Sequence, residues 1–215
     1  MVELSEVTDA NLLEQARRLR AAAERLLHER GLLALAQAVG PAVVIGSVAL
    51  DLMARPDIDL EIRLARDPPD EAEVGRFFDF GRAVATRFSG LVLHFQNRFL
   101  WPEDQVPANP GRALYWNISL PHAGRTWKLD VFGLGPTIFR EEQERFDALR
   151  RQLADADRLA VLRIKHAVGR RPEYGRQIRS VDLYAAVTGG GVRSVDEFDA
   201  WWQRRSEQTG EGARQ

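Results

Sequence analysis

Between Asp57 and Leu64 the sequence alternates without a break, with Asp57, Asp59, Glu61 and Arg63 at odd positions and Ile58, Leu60, Ile62 and Leu64 at even ones. A period of two dictates a β-strand with one apolar and one charged face and excludes a helix. Such a strand needs further strands beside it and a layer over its aliphatic face.

The flanking sequence supplies both. Pro41 introduces Ala42-Val43-Val44-Ile45, a β-branched run read as a buried strand ending at Gly46, after which Val48 to Met53 predicts a short helix. Beyond Pro68-Pro69, Asp70 to Arg87 carries Val74, Phe77, Phe78, Phe80, Ala83 and Val84, the pattern of a helix that covers a sheet. Gly90 to Leu100 predicts a strand with His94, Gln96 and Arg98 on one face, and Trp101 to Gly111, with three prolines, predicts a loop. Ala113 to Leu120 and Arg125 to Leu134 predict an antiparallel hairpin across a Pro121-His122-Ala123-Gly124 turn. Tyr115, Asn117 and Ser119 share one face of that hairpin.

The two ends of the sequence are helical. Asn11 to Ala38 has helical spacing broken at Gly31, with Thr8-Asp9 as its N-cap. Ile138 to Val168 predicts one long helix, Tyr174 to Val187 a second that ends at Gly189-Gly190-Gly191, and Val195 to Arg205 a third. The third opens on the capping box Ser194-Val195-Asp196-Glu197. The expected class is therefore α+β: N-terminal helices over 1–40, a core with a small mixed β-sheet over 41–136, a helical region over 137–205 and a disordered tail over 206–215.

Composition narrows the chemistry. The 215 residues contain no cysteine and four histidines, His28, His94, His122 and His166, which excludes disulfides and thiolate chemistry and leaves oxygen as the expected metal-ligand atom. The formal net charge of −1 argues against a protein that coats nucleic acid. No apolar run reaches the roughly 20 residues of a bilayer span, and the acidic start, Met1-Val2-Glu3-Leu4-Ser5-Glu6, lacks the basic flank of a leader, so a cytoplasmic location without membrane partners is expected. Only Lys128 and Lys165 are lysines among 30 basic residues, so a lysine here carries more information than an arginine.

Three carboxylates draw attention. Asp57 and Asp59 lie side by side on one strand face, and Asp130 sits in a later strand within Leu129-Asp130-Val131. If these groups converge, a divalent cation is their natural partner, and an all-oxygen set favours Mg²⁺ or Mn²⁺. Gly46-Ser47 complements them, because glycine lets a phosphate approach the backbone and Ser47 offers a hydroxyl.

In this order, the aliphatic strand Val43-Val44-Ile45, Gly46-Ser47, the spacer 48–56, Asp57-Ile58-Asp59-Leu60 and Leu129-Asp130-Val131 resemble the nucleotidyltransferase superfamily across residues 41–135. That resemblance implies Asp57, Asp59 and Asp130 as metal ligands and catalytic groups, with Asp130 the candidate base, and Gly46 and Ser47 as holders of triphosphate oxygens. It also implies transfer of a nucleoside monophosphate from a nucleoside triphosphate to a hydroxyl acceptor, with loss of pyrophosphate. The near-neutral charge favours an antibiotic-like small molecule as acceptor over nucleic acid. A tRNA- or protein-modifying enzyme, and a nucleotide-binding protein of the same fold without catalysis, are the alternatives.

Other readings stay open for several residues. Asp57 and Asp59 also fit the solvated face of an edge strand, and Asp130 a surface position in a hairpin. Lys128, two residues before Asp130, either approaches the triphosphate or neutralises Asp130. Lys165, with Arg163 and His166 beside it, suits either nucleotide binding or a solvated helix face. Arg170, Arg171, Arg176 and Arg179 form a basic cluster that suits phosphate or solvent. Trp201 and Trp202 follow Phe198 at helical spacing and read as core, while Glu61 lies one step too far along to join the ligand set.

Overall fold

The alternating segment forms the strand it dictates, inside a mixed sheet. The computed structural model describes residues 8–108, 110–153 and 155–209. Its five strands are β1 (Ala42–Ile45), β2 (Asp57–Arg63), β3 (Val92–Asn97), β4 (Leu114–His122) and β5 (Arg125–Leu134), in spatial order β1-β2-β5-β4-β3. β2 and β5 are parallel, and every other neighbouring pair is antiparallel. The helices are α1 (Asp9–Glu24), α2 (Leu32–Gln37), α3 (Gly46–Ala49), α4 (Glu71–Arg87), α5 (Pro136–Gln152), α6 (Asp155–Val168), α7 (Ser180–Thr188) and α8 (Val195–Thr209), with a π-helical turn at Arg25–Glu29 after α1. No helix among the described residues is long and apolar enough to cross a membrane.

Arg18–Asp147 is one compact unit, which holds the sheet, and the described residues before Arg18 and after Asp147 form a second, helical one. In the sheet unit, Ile58, Leu60 and Ile62 of β2, Leu129 and Val131 of β5 and Ile118 of β4 are fully buried on one face, together with Leu26, Leu27, Leu32, Phe77 and Val84 from the helices. Burying each of these large side chains contributes roughly 1.5–3 kcal/mol. α4 is started by Asp70, whose Oδ1 accepts from the Glu73 amide at 2.9 Å, and it is tied to the sheet by Trp116 Nε1 donating to the Phe77 carbonyl at 2.9 Å. The opposite face of the sheet carries Asp57 and Asp59, half-buried, and Tyr115, Asn117 and Ser119.

In the helical unit, Thr8 caps α1, with Oγ1 accepting from the Asn11 amide at 3.3 Å. The capping box forms at α8: Ser194 Oγ accepts from the Glu197 amide at 3.3 Å, and Glu197 Oε2 accepts from the Ser194 amide at 3.2 Å. Phe198 is fully buried and stacks with the half-buried Trp201 and Trp202 at ring-centroid distances of 6.2 and 6.3 Å.

Several boundaries differ from the sequence expectation. β1 is a half-buried edge strand, and the helix after it is the single turn α3, ending before Leu50. β3 stops at Asn97, because the chain turns into a 3₁₀ helix at Arg98–Leu100 whose first free amide, that of Phe99, is taken by Asn97 Oδ1 at 3.2 Å. The hairpin turn is tighter than expected: Pro121 and His122 pair with Thr126 and Arg125, leaving Ala123 and Gly124, both at positive φ, as a two-residue turn. The expected helix Ile138 to Val168 is two helices, separated just after the chain passes from the sheet unit to the helical one, and no glycine or proline marks the break. α7 starts six residues later than Tyr174, since Gly175 at φ +86° turns the chain and its amide donates to the Ile178 carbonyl at 2.8 Å. Ser206 to Thr209 prolong α8, and the rest of the expected tail lies outside the described residues.

Candidate active site

Strand register assembles the polar face. Ile45 of β1 stands opposite Asp59 of β2, Asp59 opposite Asp130 of β5, Asp130 opposite Asn117 of β4, and Asn117 opposite His94 of β3. One row thus crosses all five strands with two aspartates at its centre. The adjacent row pairs Asp57 with Lys128 and Lys128 with Ser119. One carboxylate oxygen each from Asp57, Asp59 and Asp130 lies within 4.8 Å of the others. β2 is an interior strand and Asp130 is only 7% exposed, so neither the solvated edge strand nor the surface hairpin position describes these groups.

Like charges this close repel by about 3–4 kcal/mol per pair at an effective dielectric constant near 20. Asp130 is compensated from three sides. Its Oδ1 accepts from Tyr115 Oη and from Asn117 Nδ2, each at 2.7 Å, and its Oδ2 accepts from Lys128 Nζ. Burial, and then the Asp130 charge, push the Tyr115 phenol well above its ordinary value, so it remains a donor throughout the working range. Burial alone would depress the Lys128 ammonium, but Asp57 and Asp130 together outweigh it and hold the group above the usual lysine value.

Behind this contact stands Arg98. Its backbone has left the strand for the 3₁₀ turn, but its side chain stays on the face of His94 and Gln96, as strand alternation predicts. From the 3₁₀ turn its guanidinium lies over the Tyr115 ring at 4.2 Å, with Nε donating to Gln96 Oε1 at 2.8 Å, and Tyr115 in turn stacks on Phe132 at 4.8 Å. Burial lowers the Arg98 pKa, while Tyr115 and Asp130 act against that shift.

On the other side, the chain leaves β1 beside Asp59 through Gly46, at φ +64°. A Cβ on Gly46 would lie 2.2 Å from Asp59 Oδ2, so only glycine leaves room for this carboxylate. Ser47 follows at the start of α3 and is buried. Glu61, the next acid along β2, does not join the three. It is buried, accepts from Gln143 Nε2 of α5 at 2.6 Å, and burial together with the nearby Glu142 raises its pKa to about 7.

The sheet unit therefore brings together Gly46, Ser47, Asp57, Asp59, Lys128 and Asp130. Lys165 belongs to the helical unit and is not on a solvated face: it is 6% exposed, with Nζ 3.1 Å from the Tyr184 hydroxyl. Of the arginine cluster, Arg171 pairs with Asp199 and Arg179 with Asp182. Sequence reasoning missed Tyr115 and Asn117 as the groups that hold Asp130. The shared face was readable, because hairpin partners on one face meet across the strands, but which of them stands opposite Asp130 depends on the turn.

The donor set fits a hard divalent cation. Two oxygens on one octahedral Mg²⁺ lie about 3–4 Å apart at metal–oxygen distances of about 2.1 Å. Side-chain rotation brings oxygens within 4.8 Å of one another to that spacing.

No protein-family model and no curated protein matches the chain. Among solved structures it is similar to the Cid1 poly(U) polymerase, at 13% identity over 85% of this chain and 55% of that one, with a TM-score of 0.49. It is similar to a cytoplasmic RNA terminal U-transferase at 14% identity over 83% of this chain and 53% of that one, TM-score 0.49. To the MgGTP-bound Cid1 poly(U) polymerase it shows 16% identity over 74% and 43%, TM-score 0.45. The chain spans about half the length of these proteins.

Proposed function

We propose that this chain is a metal-dependent nucleotidyltransferase, which transfers a nucleoside monophosphate from a nucleoside triphosphate to a hydroxyl-bearing small molecule and releases pyrophosphate. The observation that carries the reading is the convergence of Asp57, Asp59 and Asp130 beside the Gly46-Ser47 turn. In the reaction an acceptor oxygen forms a bond to the α-phosphorus while the bond from that phosphorus to the bridging oxygen of the β-phosphate breaks. Bound Mg²⁺ or Mn²⁺ would supply positive charge to the entering and leaving oxygens.

The chain's own residues do the rest. Asp57, Asp59 and Asp130 hold the cation. Gly46 and Ser47 face the triphosphate oxygens, and the absence of a side chain at Gly46 keeps Asp59 Oδ2 in place. Asp130, engaged at Oδ1 by Tyr115 and Asn117 and at Oδ2 by Lys128, is the candidate to take the acceptor proton, at Oδ2, once Lys128 has moved away. A small acceptor suits the surface next to the triad, since Asn117, Ser119 and His94 offer hydrogen-bonding groups there, whereas RNA would call for a track of cations.

The test is calorimetric titration with each of the four ribonucleoside triphosphates, with and without Mg²⁺, on the native chain and on Asp57→Asn. Metal-dependent binding of one triphosphate, lost in the variant, is expected. Binding that survives in Asp57→Asn overturns the assignment of the carboxylates. Tight binding with no pyrophosphate release across a panel of hydroxyl acceptors points to a nucleotide-binding protein without catalysis.

A further inference from the structure

Lys128 is placed in a position that neither of its sequence readings describes alone. Its backbone pairs with Asp57 across β2 and β5, and its ammonium donates to Asp130 Oδ2, the oxygen of Asp130 that Tyr115 and Asn117 leave accessible. It is a cation held among the carboxylates where a divalent ion would have to bind. At the same time its side chain is 50% exposed, against 9% for that of Asp130, so the stem that carries the ammonium borders solvent. The residue type fits such a role: lysine is a compact charge on a flexible stem, and the chain uses it only twice against 28 arginines. An arginine here would clamp the carboxylates with a planar fork.

We infer that Lys128 is a displaceable counter-ion of the triad, which a divalent cation must move aside and which then goes to the triphosphate, so that metal and nucleotide bind cooperatively. This rests on the nucleotidyltransferase reading. Without nucleotide, a metal ion must expel the ammonium into water and loses part of its own gain in doing so. With nucleotide present, the expelled ammonium gains a polyphosphate partner in place of the carboxylate it leaves. Each ligand thereby raises the affinity for the other, as linkage requires. The triad is kept neutralised when empty and accepts the metal most readily together with its substrate.

The experiment is titration of the full chain with Mn²⁺ alone, read by the paramagnetic signal of the free ion, and then with a Mg²⁺-loaded triphosphate whose α,β-bridge is a methylene. Native protein, Lys128→Met and Lys128→Arg are compared after thermal melts show that each folds. Lys128→Met is expected to bind Mn²⁺ alone about tenfold more tightly and the loaded triphosphate about tenfold more weakly, while Lys128→Arg gains nothing for Mn²⁺. Unchanged or weaker Mn²⁺ binding by Lys128→Met overturns the inference, as does unchanged triphosphate binding, and in either case the metal site itself stands. If none of the three proteins binds Mn²⁺, the triad is not a metal site, and the proposed function falls along with the inference.

Discussion

Gly46 shows how narrowly one position can be specified. It combines a left-handed backbone at φ +64° with the space taken by Asp59 Oδ2, so Gly46→Ala meets two penalties together. The backbone strain alone costs on the order of 1 kcal/mol. The methyl group must also push Asp59 from the triad. We expect Gly46→Ala to melt a few degrees lower and to bind divalent metal at least tenfold more weakly, measured by thermal denaturation and Mn²⁺ titration. An alanine variant with native metal affinity would show that Asp59 is not needed where it stands. The sequence marked Gly46 only as a place where phosphate can approach the backbone; the claim that Asp59 makes on it depends on β1 running antiparallel to β2 with Ile45 opposite Asp59.

Legibility at the level of strands and helices followed how local the determining physics is. The period of two in β2, the Asp70 start of α4 and the Ser194-Glu197 box of α8 are written within a few residues, and each forms as expected. Faces of the hairpin were equally readable, since any two-residue change in turn length preserves them. Which residue meets Asp130 was not, because that depends on taking Ala123-Gly124 alone as the turn. The parallel register of β2 on β5 has no local signal at all, as it is set by packing across about seventy residues of intervening chain. The break between α5 and α6 likewise lacks a breaker residue. Glu61 is a further case: alternation predicts an open acid, yet α5 covers it and Gln143 bonds to it. Its carboxyl titrates near 7 in the fold against an ordinary 4.5, so the protonated form is the stabilising one. That stability is present below pH 4.5 and is lost as the pH rises through 7, a change of about 3 kcal/mol. In metal-free buffer, urea unfolding of Glu61→Gln should therefore show a clearly smaller fall in stability between pH 5 and pH 8 than the native chain shows. Parallel pH profiles for the two proteins would count against a protonated Glu61.

Across the chain, charge is balanced overall and concentrated locally. A net charge of −1 coexists with three carboxylates within one small region, so the protein's response to cations should be specific rather than general. A ligand at a hundred times its dissociation constant stabilises a fold by about 2.7 kcal/mol. Saturating Mg²⁺ is expected to raise the melting temperature of the native chain by several degrees and that of Asp57→Asn by far less, with matched KCl as the control for ionic strength. Equal shifts in the two proteins would mean that Mg²⁺ acts elsewhere.

The two-residue turn at Ala123-Gly124 also bears on how the gene for such a chain is free to vary. It is the fixed end of a ladder that runs from His122 opposite Arg125 up to Asn117 opposite Asp130, so residues far from the carboxylates determine which side chains reach them. Point substitutions there leave the count intact. A single inserted codon in either strand between the turn and the triad reverses which side chains face the triad, unless a bulge absorbs it, whereas an inserted pair slides the ladder by one row and brings a different residue opposite Asp130. Length in this hairpin is therefore inherited as part of the site, although none of the turn residues touches it.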